Sequence, residues 1–196
     1  GQTGGQAFIG APPAADATAL AVAIVRGGFE YQGQKCSAAS RIYVPQSLWK
    51  DVRDQVVAMM RSIKMGDPRD FRNFMSAVID AKAFDKISGY IAEAKKSAKI
   101  LQGGKCDKST GYFIEPTLVQ TTKADYKLLC EEIFGPVVTA YVYPDKAWKD
   151  TLKVVDRTSP YALTGAVFAD DRQAVREATS ALRNAAGNFY INDKPT

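Results

Sequence analysis

Two apolar rhythms alternate along this chain, and that alternation narrows the fold more than any other feature. Runs such as Arg41-Ile42-Tyr43-Val44, stopped by Pro45, and VVTAYVY at Val137–Tyr143 read as strands. Elsewhere apolar residues recur every three to four positions. Leu48, Val52, Val56 and Met59/Met60 form one such set, and Phe84, Ile87, Tyr90, Ile91 and Ala94 form another. The pattern predicts helices over 16–31 (capped by Asp16), 47–63, 80–98, 145–158 and 170–182. Further strands are predicted over 99–101, 112–119 with an interruption at Pro116, 165–168 and 189–192. Strand–helix–strand order of this kind argues for an α/β fold with a mainly parallel twisted sheet flanked by helices. With 196 residues, and neither an internal repeat nor a linker, one domain over 1–196 is expected.

Composition excludes several classes of function. The net charge of +5 comes from scattered basic residues, with Lys95-Lys96 the only adjacent pair, so no nucleic-acid surface is expected. The longest apolar stretch, 17–25, is about half of a membrane span, so no membrane partner is expected. The cysteines Cys36, Cys106 and Cys130 form no CxxC pair and read as reduced thiols. The absence of histidine is the strongest constraint on chemistry. It removes Ser-His-Asp and Cys-His mechanisms and most zinc sites, and no metal is expected. Chemistry must come from cysteine, carboxylates, lysine, tyrosine, backbone amides or a borrowed cofactor.

One cysteine stands in a suggestive place. In Tyr31-Gln32-Gly33-Gln34-Lys35-Cys36-Ser37 a helix ends in a small polar turn and Cys36 follows at once. A thiolate nucleophile needs a positive local field, which free N–H groups of the turn and Lys35 would supply. From the residues alone, an inert buried cysteine is the alternative. Neither Cys106, after Gly-Gly, nor Cys130, in an acidic context, is comparably placed.

GQKCSAASRIYV resembles the nucleophile segment of the aldehyde dehydrogenases, and the longer FEYQGQKCSA form resembles their pyrroline-5-carboxylate (glutamate-semialdehyde) branch. Glu131-Glu132-Ile133-Phe134-Gly135-Pro136-Val137 is similar to the family's E-I-F-G-P-V motif. The stretch RNAAGNFYINDK at 183–194 again resembles the pyrroline-5-carboxylate branch. The resemblance implies that Cys36 attacks an aldehyde carbon, that hydride leaves for NAD, and that water hydrolyses the resulting thioester. It implies that Glu132 accepts hydrogen bonds from the nicotinamide ribose, that Phe134 packs near the nicotinamide, and that Ser37 lines the aldehyde pocket. Without it, Glu131/Glu132 would be an exposed acidic pair, Phe134 a core residue and Ser37 a turn hydroxyl.

The resemblance also exposes a departure. Gln2 stands 34 positions before Cys36, where the family keeps a general-base glutamate, and Gln6 stands where it keeps lysine. A carboxamide cannot take a proton at neutral pH, so slow thioester hydrolysis, or a non-catalytic relative, is the expectation. The ends read as those of an excised catalytic-domain fragment, with the NAD-binding Rossmann domain and the oligomerisation segment outside it. By the same resemblance the parent is expected to be a homo-oligomer acting on a small-molecule aldehyde. Its expected compartment is the mitochondrial matrix in a eukaryote and the cytoplasm in a bacterium.

Overall fold

The computed structural model describes residues 6–196. In chain order the elements are β1 (Ala7–Gly10), α1 (Ala17–Phe29), β2 (Ala39–Pro45), α2 (Gln46–Ser62), α3 (Ala81–Ser97), β3 (Lys99–Gln102), β4 (Cys106–Asp107) and β5 (Phe113–Ile114). Then follow β6 (Thr117–Thr121), α4 (Lys127–Cys130), β7 (Val137–Tyr143), α5 (Trp148–Thr158), β8 (Thr164–Val167), α6 (Arg172–Ala181) and β9 (Asn188–Ile191). Aspartates start three of the helices. The Asp16 carboxylate accepts from the Ala19 N–H at 2.8 Å, Asp80 from Ala83 at 2.7 Å, and Asp171 from Gln173 and Ala174 at 3.1 Å. Each such cap is worth about 1 kcal/mol. Among the described residues no helix is long and apolar enough to cross a membrane.

Seven strands form one sheet in the order β3-β6-β7-β2-β1-β8-β9, and only β3 runs antiparallel to its neighbour. The expected α/β architecture with a mainly parallel sheet is therefore present. Side chains alternate between the two faces, as the strand period requires. Ile42 and Val44 of β2, with Val138 and Ala140 of β7, pack beneath α1 and α2. Phe8, Tyr43 and Tyr143 point the other way, toward Trp148, Leu152 and Val155 of α5 and Ala174 and Ala178 of α6. A third cluster joins Phe84, Ile87 and Ile91 of α3 to Val119, Leu128, Leu129 and Val137.

Four local features differ from the sequence expectation. β1 was not anticipated, because three apolar residues among glycines and prolines show no period. It is a strand because β2 and β8 both pair with it. The helix expected to reach residue 31 ends at Phe29. β4, two residues paired with β5, had no signal either, whereas Pro116 separates β5 from β6 as expected. The short α4 also had no periodic signal, being a single turn whose Leu128 and Leu129 are fully buried.

Candidate active site

The turn after α1 has a backbone that the sequence alone does not announce. Tyr31, Gln32 and Gly33 have φ of 52°, 59° and 65°, three consecutive residues in the left-handed region. For Tyr31 and Gln32 this conformation costs roughly 1–2 kcal/mol each, so surrounding contacts must hold it. The Gln32 carboxamide accepts from the Ser76 N–H at 3.0 Å and donates to the Ala77 carbonyl at 3.2 Å. Two residues on, Gln34 accepts from the Ile79 N–H at 2.9 Å. Gly33 between them is pressed so closely that a Cβ there would lie 2.4 Å from the Gly135 carbonyl oxygen and 2.8 Å from that of Gly28.

Cys36 and Ser37 are the central residues of the next turn, closed by the Ala38 N–H on the Lys35 carbonyl at 3.1 Å. That closure leaves the N–H groups of Cys36 and Ser37 outside the turn's own bond. Cys36 is a free, half-buried thiol. Lys35, the cation beside it, has its ammonium bound to Glu30 at 3.1 Å. The Glu30 carboxylate also receives Arg26 and lies 4.0 Å from Lys194. Burial pushes the Glu30 pKa up, but hydrogen bonds and charge from Arg26 and Lys35 outweigh it and leave the carboxyl below its ordinary 4.5. The Ser37 hydroxyl bonds the Thr196 hydroxyl at 2.7 Å.

The acidic motif is anchored on α3. Tyr90 donates to the Glu131 carboxylate at 2.5 Å, and Lys86 donates to the Glu132 carbonyl at 2.8 Å. Burial first, then the bond to Glu131, pushes the Tyr90 phenol up to about 12. Ile133 enters the α3 core, and Phe134 adopts φ 57° and is half-buried. Glu132 and Phe134 then line a groove of about 320 Å³ with Gln34, Ile79, Lys82 and Lys86. One wall of the groove thus comes from the Cys36 segment and another from the acidic motif.

Gln2 lies outside the described residues. Gln6 is buried, and its side-chain oxygen accepts from Ser40 at 3.1 Å. Its carbonyl accepts from Arg41 at 2.9 Å. Arg41 is only 1% exposed, and its guanidinium also donates to the Val155 carbonyl at 2.9 Å and the Tyr43 hydroxyl at 3.1 Å. It lies over the Phe8 and Tyr43 rings, 5.3 and 5.9 Å from their centroids. A buried charge is tolerated here because neutral oxygens and ring faces surround it.

The model of the aldehyde dehydrogenase family matches residues 2–196. The chain belongs to the aldehyde dehydrogenase family. It is 51% identical over 199 residues to the mitochondrial delta-1-pyrroline-5-carboxylate dehydrogenase of Danio rerio, and 52% identical over 198 residues to that of Dictyostelium discoideum. Each match covers 100% of this chain and 36% of the relative, so the chain spans about a third of the length of these curated relatives. The crystal structure of the Mycobacterium tuberculosis delta-pyrroline-5-carboxylate dehydrogenase bound with NAD superposes with a TM-score of 0.92 at 44% identity. That superposition covers 100% of this chain and 36% of that one.

Sequence reasoning singled out Cys36, Ser37, Glu132 and Phe134, and the fold brings Glu132 and Phe134 into one groove with Gln34. It passed over Glu30, Gln32, Gln34, Lys86 and Arg41. The two glutamines flanking Gly33 carried a usable signal, since amides on both sides of a left-handed glycine are suited to gripping a neighbouring main chain. Lys86 carried none, because its reach to Glu132 spans 46 residues.

Proposed function

We propose that the polypeptide containing these residues oxidises glutamate γ-semialdehyde, the open form of pyrroline-5-carboxylate, to glutamate with NAD, as a step in proline degradation. The observation that carries this reading is the joining of the Cys36 segment to the Glu132/Phe134 motif around one groove, with Gln34 as the shared wall. The groove fits the nicotinamide ribose half of the cofactor in its chemistry. Glu132 offers a carboxylate to ribose hydroxyls, Phe134 an apolar face, and Lys82 and Lys86 positive charge toward a diphosphate. When bound, NAD supplies a two-electron hydride acceptor.

With its proton lost to solvent, the Cys36 sulfur adds to the aldehyde carbon and forms a C–S bond, while negative charge moves to the aldehyde oxygen. The Cys36 N–H, outside the bond that closes its turn, is suited to receive that oxyanion. Loss of hydride from the carbon restores C=O as a thioester on Cys36. Water then adds, the C–S bond breaks and the carboxylate leaves. Ser37 lines the aldehyde side of the thiol. The adenosine half of NAD and the assembly surfaces of the parent, a homo-oligomer in this reading, belong to chain outside these residues. The isolated 196-residue piece then has no turnover. The parent acts in the mitochondrial matrix of a eukaryotic source or the cytoplasm of a bacterial one.

Gln2 favours a second reading, a non-catalytic relative kept as an assembly or binding subunit, because a carboxamide cannot activate the hydrolytic water. One time course separates the readings. The full-length polypeptide and its Gln2→Glu form are mixed with NAD and pyrroline-5-carboxylate, and NADH is followed from milliseconds to minutes. A single-turnover burst that stalls, relieved by Gln2→Glu, supports a working Cys36 with slow hydrolysis. Steady turnover by both supports an ordinary dehydrogenase with another base. No burst from either overturns the enzyme reading and leaves the subunit reading.

A further inference from the structure

Both sequence neighbours of Cys36 are linked to one distant segment, Ser37 directly and Lys35 through Glu30. On one side, Lys35 reaches Glu30 Oε2 at 3.1 Å, and the same oxygen lies 4.0 Å from Lys194 Nζ. On the other, Ser37 Oγ is 2.7 Å from Thr196 Oγ1. Lys194 and Thr196 are two residues apart on one stretch of main chain, so the two arms meet there. The contacts therefore close a ring from Lys35 through Glu30, Lys194 and Thr196 to Ser37, with Cys36 inside it.

The segment that completes the ring is itself seated. Asn192 grips the loop after β8, accepting from the Ala169 N–H at 2.8 Å and donating to the Ala169 carbonyl at 3.1 Å. Pro195 is buried on α1, where a Cβ at Gly27 would meet its ring at 3.6 Å. Thr164, which opens β8, donates to the Ser37 carbonyl at 3.3 Å. Lys194 and Thr196 thus transmit the position of β8, β9 and α1 to the nucleophile turn.

We propose that Lys194 and Thr196 are positioning residues that hold Cys36 through this ring, with Glu30 as its charged joint. The idea rests on the reading of Cys36 as the nucleophile. Because the ring is closed, opening it at any one point releases the turn, and opening it twice adds little.

The test measures second-order alkylation of Cys36 by iodoacetamide against pH in the full-length polypeptide, for Lys194→Met, Thr196→Val, the double variant and Thr196→Ser. Steady-state kcat and KM for NAD are measured beside it, and thermal unfolding verifies that each variant is folded. Each single variant is expected to change the alkylation rate by about tenfold, and the double by about tenfold and not a hundredfold. Thr196→Ser, which keeps the hydroxyl, restores the rate, and KM for NAD stays put. Unchanged alkylation in both singles overturns the proposal, and so does a double variant whose effect is the product of the singles. A polypeptide that forms no NADH while its alkylation follows the expected pattern overturns the dehydrogenase reading and leaves the ring standing.

Discussion

The main chain at Gly33 rests directly on the main chain at Gly135, so closely that a methyl group on Gly33 would sit 2.4 Å from the Gly135 carbonyl oxygen. The Cys36 segment and the acidic motif are about a hundred residues apart in sequence, and this contact sets their spacing in the fold. Gly33 also has φ 65°, where a Cβ is strained even in open space. Gly33→Ala is expected to destabilise by about 3 kcal/mol through combined clash and strain. Gly89 in the middle of α3 is the control, since a Cβ there meets nothing within 4 Å. Gly89→Ala is expected to stabilise by about 0.5–1 kcal/mol. Equilibrium urea unfolding of both variants decides the matter, and equal effects would sink the argument.

Gln32 should be the clamp that keeps its turn left-handed. Gln32→Met preserves bulk but leaves the Ser76 N–H and the Ala77 carbonyl without their partner, at a cost of about 2 kcal/mol. Hydrogen exchange offers the sharper readout. The Ser76 amide is expected to lose protection in the variant while amides inside β7 keep theirs. Unchanged exchange at Ser76 would show that the clamp is incidental.

Arg41 offers a prediction about burial. Arg41→Met fills much of the same space but strands the carbonyls of Gln6 and Val155, each stripped of its charge-assisted donor. The expected loss is about 3 kcal/mol, from two buried acceptors left unpaired. Arg41→Lys keeps the charge with one compact donor head in place of a fork, and should recover only part of the loss. Denaturant midpoints for the two variants, measured together, test this ordering.

Glu30 makes stability depend on pH in a definite direction. Its carboxyl titrates below the ordinary 4.5 in the folded chain, so the folded state favours the ionised form. That contribution is fully present above the unfolded value and is lost as pH falls through the lower folded value. Unfolding free energies of the parent and of Glu30→Gln should therefore differ at pH 7 and draw together below pH 4.5. A gap that stays constant down to acid-induced unfolding would mean that Glu30 contributes through shape and not through charge.

Much of the frame was legible because local spacing encodes it. The 3–4 period of Leu48, Val52 and Val56 marks α2, and the unbroken VVTAYVY marks β7. The site was legible only in part. Cys36 and Glu132 were singled out by motif, but what surrounds them comes from partners distant in sequence. Gln32 finds Ser76, Lys86 finds Glu132 and Ser37 finds Thr196, and no local pattern predicts any of these pairs. β1 was hidden for the same reason, since its four residues become a strand only when two others flank them.

The strand order has a bearing on how the chain reaches this state during synthesis. β1 is the first described element, yet it stands inside the sheet and its second partner, β8, begins only at Thr164. Until Thr164–Val167 have left the ribosome, one edge of β1 has no partner. Pairing across so long a separation is slow to form, and an open apolar edge is a template for other chains. A nascent chain paused before Thr164 is therefore at its most vulnerable to aggregation, although most of its helices have already been made.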